Sequence, residues 1–172
     1  MVASARAART ATERRSAERG HVEQELSGRA SVRRIAEVLE VPDGDVLRAL
    51  GGGWRPVELG SAERPHSGGW FMTGEPEQVL LGVGGSTLTL ARITLRWDGP
   101  GTLTRSATDE REFAREDVLY QPELLAETVE EMARKSRKTF RWCRTCRTVN
   151  RPELMERFDC MACASEYRGA VY

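Results

Sequence analysis

The sequence predicts an α+β protein in three parts: a small helical N-terminal part, an antiparallel β-meander with one packing helix, and a C-terminal module built on cysteines. Three observations predict it. Apolar residues recur at helical spacing between residues 31 and 50, and the period changes to two between residues 70 and 107. All four cysteines fall in the last thirty residues, as two matched pairs.

A chain of 172 residues is enough for one ordinary domain or two small ones sharing a modest core. Its 40% apolar and 30% charged residues are ordinary for a globular protein. No apolar run approaches the length of a membrane span, so no membrane partner is expected. Met1 to Arg15 reads as small residues and arginines, without the apolar stretch of a signal peptide. A cytoplasmic location is the expectation, and in a reducing compartment cysteines serve as metal ligands or redox groups more often than as disulfides.

The net charge is zero, but its distribution is uneven. Residues 51–132 carry seven basic and fourteen acidic side chains, whereas residues 133–172 carry ten basic and four acidic ones. An acidic middle with a basic end points to a polyanion for that end. One bland explanation competes: only Lys135 and Lys138 are lysines. A preference for Arg with abundant Ala and Gly is what a GC-rich bacterial genome produces.

Along the chain, residues 1–18 are rich in Ala, Arg, Ser and Thr without a clean apolar stripe and are expected to be a frayed or disordered arm. Residues 19–53 are expected to form a helical hairpin. Ser31 is placed as its N-cap, Val32, Ile35, Ala36 and Leu39 line one helix, and Val46, Leu47 and Leu50 line a second. Residues 13–26 are the candidate third helix. Residues 54–69, with two prolines, are expected to be a linker.

Residues 70–138 are expected to be the meander plus its helix, with three or four strands. Strands are placed at Trp70 to Met72, Gln78 to Val83, Thr87 to Trp97 and Thr102 to Ala107, with turns at Gly84-Gly85 and at Asp98 to Gly101. Within Thr87 to Trp97 the alternation slips phase, which a bulge near Leu90–Ala91 would repair. Asp109 to Asp117 is placed as an exposed charged segment. Pro122 suits a first helical turn, and Leu124, Leu125, Val129, Met132 and Ala133 make its apolar stripe.

The last part carries the clearest chemistry. Cys143 and Cys146 form one Cys-x2-Cys pair, thirteen residues follow, and Cys160 and Cys163 form the second. Two intervening residues let both sulfurs of a pair turn toward one ion, and two pairs close a tetrahedral shell. The flanking Thr139 to Trp142, Arg147 to Val149 and Tyr167 to Tyr172 read as strands. Over residues 139–172 the chain resembles the zinc ribbon family. The resemblance implies a fold and one structural Zn2+ per chain, and no activity. A thioredoxin-like redox pair and an iron–sulfur centre are the competing readings.

Lys135, Lys138, Arg141, Arg144, Arg147 and Arg151 crowd around this module, with Trp142 interleaved. Arginines supply phosphate contacts and an exposed aromatic can stack on a base, so DNA or RNA is one expected partner. A solvated face offsetting the thiolates is the other reading. Ser31 to Leu50 also has helix-turn-helix length, but Glu40 sits where a turn glycine is common. The second helix opens on Asp43 and Asp45 with Arg48 as its one base, which disfavours phosphate.

No catalytic constellation is evident. His21 and His66 are isolated, Gly82 to Gly85 joins two strands instead of a strand and a helix, and the acids of 109–117 match no calcium loop. The expected function is therefore a non-enzymatic regulatory or accessory protein contacting nucleic acid, or machinery that works on it, through a basic zinc ribbon. The alternative is a protein–protein adaptor with a protein partner, in which the ribbon is purely structural.

Overall fold

The computed structural model describes residues 27–60, 65–99 and 101–169. The arm expected over 1–18, the candidate third helix and the last three residues lie outside the described residues. The architecture is α+β, with one antiparallel five-stranded sheet, a helical layer on one of its faces, and the cysteine module beyond.

Helix α1 is described over residues 27–39 and α2 spans Asp43–Leu50. Ser31 does not cap α1. The helix already runs through Ser27 and Gly28, and Ser31 is buried within it. Gly28 lies beside the Gly53 backbone, where a Cβ would stand 3.5 Å from the Gly53 Cα. Between the helices Glu40 adopts φ 54°, the left-handed setting that glycine usually fills. The Val41 amide then donates to the Ala36 carbonyl and Glu40 to Glu37, closing the end of α1.

The sheet is a simple meander in which β1 (Arg55–Val57), β2 (Trp70–Thr73), β3 (Val79–Val83), β4 (Thr87–Trp97) and β5 (Leu103–Ala114) pair in chain order. The expected linker thus contains an edge strand, β1, which tolerates Pro56 because an outer strand need not donate along its free side. Just beyond β1 the Gly60 amide donates to the Arg105 carbonyl of β5 at 3.1 Å, so the sheet curls toward closure. A Cβ at Gly60 would meet Thr104 Cγ2 at 2.7 Å, so only glycine allows this approach.

Curling gives the sheet two buried faces, and that explains the phase slip in β4. Leu88 and Leu90 join Phe71, Val79, Leu81 and Val83 against the helices. Ala91, Ile93 and Leu95 join Trp70 and Leu80 in a second core on the opposite face. The irregularity expected at Leu90–Ala91 is present, but the extra residue belongs to β5: Leu90 pairs with Arg111 and Arg92 with Thr108. Asp109, in that bulge, has φ 54° and its carboxylate accepts from Arg92 Nε at 2.8 Å.

After β5 a short helix α3 (Arg115–Tyr120) leads into α4 (Pro122–Arg137). The segment expected to be an exposed charged stretch is therefore the end of a strand and a helix. Asp117 accepts from the Ala114 amide at 2.8 Å and fixes the start of α3. Pro122 does open α4, which buries Leu125, Thr128, Met132, Ala133 and Ser136; Leu124, expected in the stripe, is exposed. Ser136 Oγ donates to the buried Gln78 carbonyl at 2.9 Å and ties the end of α4 to the sheet. Helix α4 thereby delivers the chain to the cysteines at a fixed place. No helix of the described residues is long and apolar enough to cross a membrane.

Candidate metal centre

Two short hairpins and a helix carry the four cysteines. Strands β6 (Arg141–Trp142) and β7 (Val149–Asn150) pair antiparallel and enclose the first cysteine pair. Within that turn the Cys143 amide donates to the Thr148 carbonyl at 2.9 Å and the Arg147 amide to the Cys143 carbonyl at 3.0 Å. A 3-10 turn (Pro152–Leu154) follows, and β8 (Met155–Glu156) then pairs with β9 (Asp159–Cys160). Helix α5 (Met161–Arg168) starts directly from Cys160.

This differs from the ribbon expected from sequence. Of the strand expected over Tyr167 to Tyr172, Tyr167 and Arg168 belong instead to helix α5 (Met161–Arg168), and residues 170–172 lie outside the described residues. Cys160 is the N-cap of α5 and Cys163 lies in its first turn. A helix N-terminus leaves amides without intrahelical partners close to the cysteine sulfurs.

The ligand atoms of Cys143, Cys146, Cys160 and Cys163 all lie within 4.8 Å of one another, and all four cysteines are free. A tetrahedral ion with metal–sulfur bonds of about 2.3 Å sets neighbouring sulfurs about 3.8 Å apart. The Sγ atoms of Cys146 and Cys160 are 3.8 Å apart. Cys143 Sγ also accepts the Cys160 amide at 3.2 Å, and Cys146 Sγ is 3.0 Å from Thr148 Oγ1. Among the described residues this is the one cluster of ligating side chains that could hold a metal ion.

The thiols are unequal. Burial opposes ionisation of Cys143, but the amides of Cys160 and Cys146 and the neighbouring thiol outweigh it and bring it down to about 6. Burial, reinforced by the other three thiols, pushes Cys163 up to about 12, and burial raises Cys160 as well. Four such groups cannot all ionise side by side unaided, and a metal ion is the kind of ligand that this cluster could hold.

The module is anchored to the sheet by Arg151, which is only 4% exposed. Its guanidinium donates to the Glu77 and Ile93 carbonyls, each at 2.6 Å. Strand β3 begins at Val79, opposite Arg92, so Ile93 is the first β4 residue beyond that pairing. Arg151 takes the place of the missing strand. Beside it Leu154 enters the second sheet core, Met155 packs on the cysteines, and Trp97 Nε1 donates to the Glu153 carbonyl at 3.1 Å. Arg151 was grouped with the polyanion-binding candidates on sequence; its burial makes it a structural residue.

The other candidates separate by partner. Lys135 is engaged by Glu131 at 2.7 Å. Arg141, Arg144 and Arg147 are exposed and have no carboxylate partner among the described residues, as is Arg157, which the sequence reading passed over. Lys138, at the end of α4, is likewise exposed. Trp142 is 58% exposed and stands opposite the exposed Val149 on the β6–β7 hairpin. The Arg144 guanidinium lies 3.8 Å from the centroid of the Phe158 ring. Arg147 and Arg157 hold φ of 57° and 55°, a setting that costs a non-glycine residue roughly 1–2 kcal/mol.

Elsewhere the candidates dismissed on sequence have structural partners. His66 meets Trp70 edge-on at 4.6 Å and fills the space over Gly82, where a Cβ would lie 2.5 Å from its ring. Arg48 of α2 pairs with Asp45 at 2.9 Å. His21 lies outside the described residues. Comparison with protein-family models, with curated proteins and with solved structures found no match to this chain.

Proposed function

We propose that this chain is a non-enzymatic regulatory or accessory protein that contacts nucleic acid, or machinery working on nucleic acid, through its C-terminal module, and that the module is built on one structural Zn2+. Zinc is favoured by four thiolates at tetrahedral spacing around a space that suits one ion and is too small for an iron–sulfur cage. Four protein ligands leave no open position for substrate, so the ion's contribution is folding and not catalysis.

The observation that carries the reading is where the unpaired arginines are. Every arginine on the five-stranded sheet has a carboxylate partner: Arg55, Arg92, Arg96, Arg105 and Arg111. Exposed arginines without a carboxylate also occur on the helices, at Arg33 and Arg34 of α1 and Arg134 of α4. What distinguishes the module is their density: Arg141, Arg144, Arg147 and Arg157 stand without carboxylates within seventeen residues, around an exposed tryptophan. Phosphate is the partner that suits such a face.

Replacing Arg141, Arg144 and Arg147 together with Glu tests the reading. The expected result is loss of nucleic-acid binding at low salt with unchanged metal content and circular dichroism. Binding equal to wild type would overturn it. A different observation favours the adaptor alternative: Leu47 of α2, Tyr120 of α3 and Leu124 of α4 expose apolar side chains on the helical layer. That alternative predicts that the protein fractionates from cell extract in a complex that survives nuclease treatment.

A further inference from the structure

We infer that the ligand of the cysteine module is single-stranded nucleic acid, with unstacked bases resting on Trp142 and on the Arg144–Phe158 pair and phosphates held by Arg147 and Arg157. The inference rests on the proposed function and narrows it to one class of nucleic acid.

The stacking groups come first. Trp142 is 58% and Phe158 56% exposed, and neither is needed by a core. Trp142 has only Val149 beside it on the hairpin. Phe158 lies under the Arg144 guanidinium, whose outer face is itself a planar surface on which a base can stack. The Arg144 amide donates to the Phe158 carbonyl at 2.9 Å, so the two cysteine-bearing turns are held side by side. Trp142 and Arg144 are two residues apart, at most about 7 Å between Cα atoms, a separation that neighbouring nucleotides of an extended strand can bridge. The anchoring of the module by Arg151 and Trp97 keeps these surfaces in place before any ligand arrives.

The cations come second. Arg147 and Arg157 occupy left-handed positions, one in each cysteine-bearing turn. Glycine would fit both without strain. An arginine kept at such a position, exposed and without a carboxylate, does nothing for the fold that glycine would not do better. A phosphate outside the chain gives that side chain a role the fold does not.

The form of the nucleic acid follows from what the module lacks. A duplex hides the faces of its bases and is read by a helix or ribbon in its major groove. Helix α5, the helix of the module, has no open basic face: Arg168, its one base, pairs with Asp159 at 3.0 Å. In α4, which precedes the module, Lys135 and Arg137 pair with Glu131 and Glu130, which leaves Arg134 and Lys138 as exposed bases at its end. The β6–β7 ribbon is two residues long on each side, too short to fill a groove. Exposed aromatic faces gain from bases only where those bases are unstacked.

The test uses metal-loaded full-length protein and fluorescence anisotropy with labelled single strands of DNA and RNA and the matching duplexes. Single strands are expected to bind about tenfold more tightly than duplexes, and the tighter of the two strand chemistries names the source. Trp142→Ala is expected to lose about tenfold on single strands and little on duplexes, and Trp142→Phe to keep most of the affinity. Arg147→Gly and Arg157→Gly are expected to weaken binding while leaving the melting temperature unchanged or higher, which a merely structural arginine would not do. Equal or tighter binding to duplexes, with no effect of Trp142→Ala, would overturn this inference and leave the proposed function standing. Binding to none of the four probes at low salt would overturn both.

Discussion

Cys146→Ser is expected to abolish stoichiometric metal binding and unfold residues 139–169, while the five-stranded sheet and its helices keep their structure. Cys146 is the exposed member of the four, so the substitution removes a ligand without cutting into a core. The reason for the local loss is the size of the third core. It consists of Cys143, Cys160 and Cys163 with Met155 against them, and no large hydrophobe. Such a module folds on the free energy of its ion, on the order of 10–16 kcal/mol apparent in isolated zinc fingers. The two sheet cores draw on residues 32–133, with Leu154 the one contribution from the module. The outcome is read by metal analysis and by amide NMR. Wild type should carry about one zinc per chain and the variant less than about half, with shifts collapsing only beyond α4. An iron–sulfur absorbance in native protein, or loss of the sheet's signals with the module's, would contradict this account.

Arg151→Ala is expected to cost about 3 kcal/mol, roughly 10 °C in melting temperature for a chain of this size. Two carbonyls, the half-buried Glu77 and the buried Ile93, lose charged donors. Glu153, whose carboxylate is 3.6 Å from the guanidinium, loses its counter-ion. The figure is kept near the lower end of the range for buried pairs because the native arrangement carries its own cost. Arg151 Nε and Glu153 Oε2 are both buried without a hydrogen-bond partner among the described residues. Arg151→Lys should recover less than half of the loss, since one ammonium cannot span two carbonyls as a planar fork does. Urea denaturation of both variants gives the comparison. A loss below about 0.5 kcal/mol for Arg151→Ala would mean that water replaces the guanidinium, and the anchoring role would fail.

What the sequence revealed and what it concealed divide by the range of the interactions involved. Periodicity in β4 gave Thr87–Trp97 with the observed bounds, because its apolar residues alternate over eleven positions. Pro122 marked the start of α4, a local effect of a missing donor. The cysteine spacing brought all four ligands together because each pair is two residues apart and the hairpin between is short. Strand β1 was hidden by Pro56, which only an edge position excuses. The charged half of β5 was placed as an exposed charged segment with no strand assigned, because its acids and arginines look solvated. They are, on the outer edge of a sheet, where charge also discourages unwanted strand pairing. The switch of faces at Leu90–Ala91 was legible as a slip in phase, but its cause, a second core closed by Leu59 and Leu154, is tertiary.

The candidate site shows the same division. Nothing local separates Arg151 from Arg147, since each follows a cysteine pair's strand in a run of polar residues. The carbonyl that claims Arg151 belongs to Ile93, 58 residues earlier in the chain. Arg157 was missed because the search stopped at the dense run of bases ending at residue 151. A signal was available: Arg157-Phe158 occupies the turn between the residues leading to the second cysteine pair, where a glycine would be the ordinary choice. Helix α5 was not legible because the zinc ribbon resemblance placed a strand from Tyr167 on and assigned no helix after Cys160, and a cysteine is not among the usual N-cap residues.

The most direct test of the central claim is a salt titration of metal-loaded wild-type protein against a labelled single strand. The three unpaired arginines outside the stacking pair, Arg141, Arg147 and Arg157, each meeting a phosphate predict a slope of log affinity against log salt of about −2, at about −0.7 per phosphate on single strands. A slope near that value, flattened by about 0.7 for each arginine removed, is the result expected. Absence of binding even at the lowest salt, or affinity that does not change with salt, would contradict the claim that this metal-built module is a polyanion-binding surface.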